Sequence, residues 1–345
     1  MKFLCYGDFH IRELGSFQPY NKIDERNGLT YELNNAILAS EHVASVIVAE
    51  KPDVVVDLGD FFHDKNTITT KVLYAANICC NNIKEACEEV GAECYMLLGN
   101  HNLFNELNNI NNCDILSGFF SVVNFPRIID FAGFKIGLVP YSSKPELVKQ
   151  VLSDYSKECN LIFTHLEFAG CSYDSGKKAE FGYDPNLGIP CVSGHIHLRQ
   201  EILDVVYIGS IIQNTFSTYS LENVGGVLVF NDAYPSEGKF YINDKSKHYV
   251  KVSSMDYFYN ILDTLVNKSV LKVMLPKEVY DQHKELFDKF EHTFIPSIKN
   301  RDNYNLTQYR IEGEDQTDPI VLLKTYVLER LPECMPLLDK ILLRN

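Results

Sequence analysis

Apolar residues recur along the chain in two rhythms. Short continuous runs, Phe3 to Tyr6, the valine-rich Asp53 to Leu58 and Cys94 to Leu98, predict buried strands. Between them, Leu33, Ile37, Val43 and Val46-Ile47 space a helix over about 30–50, and a second helix is expected from about Thr69 to Val90, with Gly91 as its C-cap. From Val122 to Val139 the pattern tightens into short strands, with Arg127 to Phe131 and Lys135 to Val139 paired across Ala132-Gly133. The asparagine-rich stretch 105–112 is expected to be a loop or a frayed turn. A helix from Pro145 to about Tyr155 leads to a strand at Leu161 to Phe163, and after the long Cys171 to Gly188 loop comes another at Ile189 to Ser193.

Strand patterns alone follow, at Val205 to Ile208, Val224 to Phe230, Lys239 to Ile242 and His248 to Val252, so residues 1–252 are expected to form one α/β domain. The remainder reads as helix, strand Val270 to Leu275, helix Lys277 to Glu291 and strand Phe294 to Ile298, a small α/β cap over 253–315. Helices over 316–345 end the chain, where Ile320, Leu323, Tyr326, Val327 and Leu331 make a stripe that suits either a core or a partner-binding face.

The 345 residues are 46% hydrophobic and 23% charged, as in ordinary globular proteins. A net charge of −14 argues against holding nucleic acid on a broad basic surface, so a polyanionic substrate must be met locally, and bound divalent cations are the natural source of local positive charge. Ten cysteines lack a paired Cys-x-x-Cys spacing, and with no signal-like segment or membrane-length apolar run a cytoplasmic protein is expected, in host cytoplasm if viral.

Five of the apolar strands end in polar groups: Asp8/His10, Asp60/His63, Asn100/His101, His165 and His195/His197. Taken singly, each has a plain reading as turn chemistry, and Asp60 after Gly59 suits a helix N-cap. Together they hold six of the ten histidines, and strand ends in an α/β sheet open onto one crevice. That many carboxylate, imidazole and amide groups exceeds the needs of one metal, so two ions are implied. Mixed N/O donors without thiolate suit Mn, Fe or Zn, and Asp60 is the candidate bridge. Such a pair can clamp a phosphoryl group and activate water, with His101 placed for general-acid or electrostatic help.

On Gly7-Asp8-Phe9-His10, Gly59-Asp60, Gly99-Asn100-His101, His165 and Gly194-His195-Ile196-His197, the chain resembles the calcineurin-like metallophosphoesterase superfamily. The resemblance implies a two-layer αββα sandwich, one ion on Asp8, His10, Asp60 and His197, and a second on Asp60, Asn100, His165 and His195. Within the superfamily it is most similar to the SbcD/Mre-type DNA repair nucleases, including the T-even phage recombination endonuclease subunits, through Gly59-Asp60-Phe61-Phe62-His63 and Tyr207-Ile208-Gly209-Ser210.

That likeness implies a Mn(II)-dependent DNA exo/endonuclease in which His63 assists, partnered by an SMC-like, SbcC-type coiled-coil ATPase. A homodimer contact on the helix near Val72 to Val90 is also implied, although that face equally suits packing on its own sheet. Arg12, Lys65, Asn66 and Arg199 follow the motifs closely enough to reach DNA phosphates. The acidic charge instead favours a phosphoesterase acting on nucleotides or phosphoproteins, and a third reading is a metal-binding scaffold with a decayed site. One position departs from the family pattern: Asn102 stands where an aspartate usually follows the motif histidine. It is expected to orient the His101 imidazole without lending it negative charge.

Overall fold

The apolar runs become strands buried on both faces, the signature of a sheet covered on each side. The computed structural model describes residues 1–13, 23–107, 109–213, 224–232, 234–262, 265 and 269–297, and the expected tail helices at 316–345 lie outside them. The chain opens with β1 (Lys2–Tyr6), α1 (Tyr31–Glu50), β2 (Val54–Asp57), α2 (Thr70–Val90) and β3 (Glu93–Leu97). Next come β4 (Leu103–Asn105), β5 (Ile110–Asn111), β6 (Ser121–Val123), β7 (Arg127–Phe131), β8 (Phe134–Val139), α3 (Pro145–Glu158), β9 (Leu161–Thr164) and β10 (Cys191–Ser193). They are followed by β11 (Gln200–Ile202), β12 (Val205–Tyr207), β13 (Gly226–Asn231), β14 (Lys239–Ile242) and β15 (His248–Val252). The last are α4 (Met255–Ile261), β16 (Ser269–Val273), α5 (Lys277–Gln282), α6 (Lys284–Phe287) and β17 (Glu291–Phe294).

Two six-stranded sheets result, ordered β14-β13-β1-β2-β3-β6 and β11-β12-β10-β9-β8-β7. Alternation along β1 shows how they stack. Phe3 and Cys5 enter a core shared with Val56, Leu138, Phe163 and Val192 of both sheets, and the Phe3 and Phe163 rings lie 5.6 Å apart. Leu4 and Tyr6 point the other way, into the core under α1 and α2. The outer face of the second sheet packs Ile162 and Cys191 against Val148 and Leu152 of α3. The layers are therefore helix, sheet, sheet, helix, the expected αββα sandwich.

Local signals set the helix ends. Thr30 Oγ1 accepts from the Leu33 N–H and Thr69 Oγ1 from the Val72 N–H, and Gly91 at φ 75° closes α2. Three details differ from the sequence pattern. The asparagine-rich stretch forms the small hairpin β4–β5. The helix expected over 277–291 is two short ones interrupted at His283, and the following strand starts at Glu291, because Tyr280 stacks on both Phe287 and Phe294. Strand β15 pairs with β16 in a separate parallel sheet, β15-β16-β17. The described cysteines are all free thiols, and no helix among the described residues is long and apolar enough to cross a membrane.

Candidate metal centre

Strands β1, β2 and β3 are parallel neighbours, as are β9 and β10, so their five following loops emerge at the same end of the stacked sheets. The first two loops are zipped by backbone bonds: the N–H groups of Asp8, His10 and Ile11 donate to the carbonyls of Gly59, Asp60 and Phe61, each at 2.9 Å. Asp8, His10, Asp60 and His195 all adopt positive φ, between 46° and 79°, a conformation that turns each side chain off its strand direction into the crevice. Contacts between the sheets complete the floor. The His195 N–H donates to the Asp8 carboxylate at 3.2 Å, and Ser210 Oγ donates to the Asp8 carbonyl at 2.6 Å.

The motif glycines make room for this. A methyl on Gly59, which sits at φ 107°, would lie 2.8 Å from His165 Nδ1, and one on Gly99 would run into Asp60 Oδ1.

The candidate ligands gather in two groups, Asp8/His10/His197 and Asp60/His165/His195, with the donor atoms of each within 4.8 Å of one another. His10 Nε2 and His197 Nε2 are 3.0 Å apart. Asp60 Oδ2 lies 3.6 Å from His10 Nε2 and 3.3 Å from His165 Nε2, between the two groups. Asn100 Oδ1 lies 2.8 Å from His195 Nδ1 and 3.2 Å from His165 Nε2. His165 Nδ1–H donates to the Leu58 carbonyl at 2.7 Å, which turns Nε2 toward Asp60 and Asn100. Two carboxylates, four imidazoles and one amide oxygen, with no thiolate, fit a pair of divalent ions with Asp60 between them.

Electrostatics keeps most of these groups ready to donate. Burial and neighbouring imidazoles push His10 well below the usual range and His195 down to about 3, so both are neutral near pH 7. Burial also opposes charge on His165, but the Asp60 carboxylate outweighs it and lifts this imidazole to about 9. Burial raises Asp8 to about 6 against the pull of His165 and His197. For Asp60 the burial penalty is overcome by His165 and His10, which hold it well below the usual carboxylate range.

Beside the ligands stands a second set of side chains. The His101 backbone N–H donates to Asp60 Oδ1 at 2.8 Å and its Nδ1–H to the His63 carbonyl at 2.6 Å, so Nε2 is the nitrogen that can hold or give a proton. His63 stacks on His101 with ring centres 4.9 Å apart, and its Nδ1 is 3.2 Å from His10 Nδ1. Arg12 Nη1 donates to His63 Nε2 at 3.0 Å. Burial and the Arg12 charge push His63 down to about 4.

Asn102 does not touch the His101 ring as expected. Its Oδ1 accepts from the N–H groups of Asp60, at 2.8 Å, and Gly99, at 2.9 Å, so it splices the second and third loops. The ring's orientation comes instead from the His63 carbonyl. Of the four residues expected at DNA, Arg12 is brought to the centre. Lys65 and Asn66 are exposed on the loop after His63. Arg199 is drawn away, stacked 4.3 Å over the Phe240 ring in a cavity of about 270 Å³ walled by Val206, Leu228 and Phe240.

Two carboxylates escaped the sequence reading: Glu167 Oε2 lies 3.8 Å from His195 Nε2, and Asp174 Oδ2 lies 4.0 Å from His197 Nδ1, each on the far side of a candidate ligand. Glu167 follows His165 by two residues, a local hint. Asp174 comes from the long loop and carries none.

The chain is similar to several known proteins. Protein 244L of Invertebrate iridescent virus 6, a phosphoesterase by name, is 25% identical over 256 residues, covering 70% of this chain and 88% of the viral protein. Among solved structures, a dimetal phosphatase from Danio rerio is 12% identical, covering 66% of this chain and 91% of its own with a TM-score of 0.40. Yfce, a phosphoesterase from E. coli, is 13% identical, covering 67% and 88% with a TM-score of 0.32. The profile described as calcineurin-like phosphoesterase matches residues 1–199, more than half of the chain and all five motifs. On that match and this arrangement of side chains, the chain belongs to the calcineurin-like phosphoesterase family.

Proposed function

We propose that this phosphoesterase is a two-metal DNA exo/endonuclease that uses Mn(II) and works with an SMC-like coiled-coil ATPase in recombination or repair. The observation that carries the reading is His63, whose ring is held between Arg12 and His10 at 3.0 and 3.2 Å. Asp8, His10, Asp60 and His197 would hold one ion and Asp60, Asn100, His165 and His195 the other. The ions, when bound, supply Lewis acidity and an activated water for phosphodiester hydrolysis. His101 Nε2 offers a proton or hydrogen bond to the departing oxygen. The Arg12 guanidinium offsets charge on the phosphate, and His63 orients the strand that bears it. In the same reading, 253–315 act as a cap, 316–345 dock the ATPase, and the α2 face carries a homodimer contact.

The charge of −14 favours a second reading, hydrolysis of nucleotides or phosphoproteins. End-labelled duplex DNA, incubated with the purified protein and Mn(II), with and without the ATPase, separates the two. Metal-dependent shortening that is lost in His63→Ala, while bis(p-nitrophenyl) phosphate is still hydrolysed, is the expected result. Hydrolysis of nucleotides with intact duplex under every condition would move the function to the second reading.

A further inference from the structure

The His195 ring presents Nδ1 to the candidate ions. This nitrogen lies 2.8 Å from Asn100 Oδ1, the same oxygen that meets His165 Nε2 at 3.2 Å, so Nε2 of His195 points away from the centre. There it faces the Glu167 carboxylate, whose Oε2 is 3.8 Å away. That oxygen also accepts the Tyr173 hydroxyl, at 2.5 Å. The next residue, Asp174, stands 4.0 Å from His197 Nδ1, whereas His197 Nε2 faces His10 Nε2 at 3.0 Å. Tyr173 and Asp174, adjacent in one loop, thus stand behind both histidines of the last motif.

The loop is clasped to the segment that carries those histidines. The Ser172 N–H donates to Gln200 Oε1 at 2.7 Å and Gln200 Nε2 donates back to the Ser172 carbonyl at 2.8 Å, three residues past His197. The Tyr173 N–H donates to the Lys177 carbonyl at 2.9 Å, which closes the turn beyond it. An imidazole ligates an ion only when neutral, and it binds through the nitrogen that carries no proton. The Asn100 amide oxygen, beside Nδ1 of His195, draws the single proton to the wrong nitrogen. A carboxylate at 3.8 Å is too distant for a hydrogen bond, but its charge pulls the proton toward Nε2. Two acceptors therefore compete for one proton, and Glu167 favours the form that can ligate.

We propose that Glu167, held by Tyr173, is a positioning residue for His195: it biases this ligand toward the Nε2–H tautomer, and the loop thereby sets how tightly the centre keeps its ions. The proposal rests on the two-ion reading of the site and is independent of whether the substrate is DNA. It differs from a purely structural role for Glu167, which would anchor the loop and leave the imidazole proton where it was.

Glu167→Gln removes one charge and little volume. Calorimetric Mn(II) affinity is expected to fall about tenfold in this variant, with the thermal midpoint of the metal-free protein unchanged. Long-range ¹H–¹⁵N spectra of the metal-free, ¹⁵N-labelled protein, with the His195 signal identified by its loss in His195→Gln, are expected to show the tautomer moving from Nε2–H toward Nδ1–H. Tyr173→Phe should weaken Mn(II) binding about threefold, and add nothing in a Glu167→Gln background, because the group it acts through is gone. Asp174→Asn removes the same charge from behind the other histidine and is expected to leave the His195 tautomer unmoved. Mn(II) affinity within about twofold of the parent in Glu167→Gln, an unmoved tautomer there, or an equal movement in Asp174→Asn would overturn the proposal while the two-ion reading stands. A parent protein that takes up no Mn(II) would sink that reading and the proposal with it.

Discussion

The two halves of the crevice are built differently. Asp8, Asp60 and His165 are almost wholly buried, and they are oriented by backbone atoms, through the His195, His101 and Asn102-capped Asp60 amides and the Leu58 carbonyl. His63, His101 and Arg12 are only partly buried, and the His63 ring is held by side chains of the first loop, Arg12 and His10. The ligand half is thus a property of the fold itself, and substitutions there should remove the site. The histidine–arginine half is adjustable, and substitutions there should change rate or affinity while the site survives.

Asp60→Asn tests the first half most severely. It keeps the shape and removes the charge between the two groups, so activity on bis(p-nitrophenyl) phosphate should fall about a thousandfold or more and calorimetric Mn(II) binding should weaken with it. Full metal binding with activity within tenfold of the parent would erase the distinction between the halves. His101→Gln should separate them cleanly: kcat lower by about 10²–10⁴-fold, with Mn(II) affinity retained. Loss of metal binding in that variant would put His101 among the ligands.

The smallest effect concerns protons. Without metal, His165 is lifted to about 9, so near pH 7–8 it carries a proton that an ion must displace. The raised value makes its contribution to metal-free stability present below about 6.5 and lost as pH climbs through 9. Stabilisation by Mn(II) should therefore grow over that window. Calorimetry in buffers of different ionisation enthalpy should register about one proton released per chain, and His165→Asn should abolish it. Equal release from that variant would assign the proton elsewhere.

The strands, and the gathering of the candidate ligands at their ends, were readable from the chain because both are local signals. A run such as Val54–Asp57 predicts a buried strand, and its end predicts where Asp60 must appear. Features that join distant loops were not readable. The role of Asn102 depends on amides at positions 60 and 99, and nothing near it in the sequence says so. Arg12 and Arg199 look alike on paper, each two residues past a motif histidine, yet one is drawn to His63 and the other to Phe240 by residues far along the chain. The split at His283 likewise follows from Tyr280 stacking on Phe294, a contact that overrides helical spacing. Asp174 reaches His197 from a loop with no periodic pattern at all.

The pairing of β1 with β13 has a consequence for how the protein comes into being. Lys2 is registered against Asn231 and the Asp8 carboxylate receives the His195 amide, so β1 leaves the ribosome long before its partners in β13 and after β10 exist. Closing contacts of such long range is slow, and a nascent chain meanwhile exposes the Phe3–Cys5 face that later meets the second sheet. Catalytic competence is consequently gained late in synthesis. Truncation products that end before residue 195 carry five of the seven candidate ligands and lack both His195 and His197, so neither group of the centre is assembled.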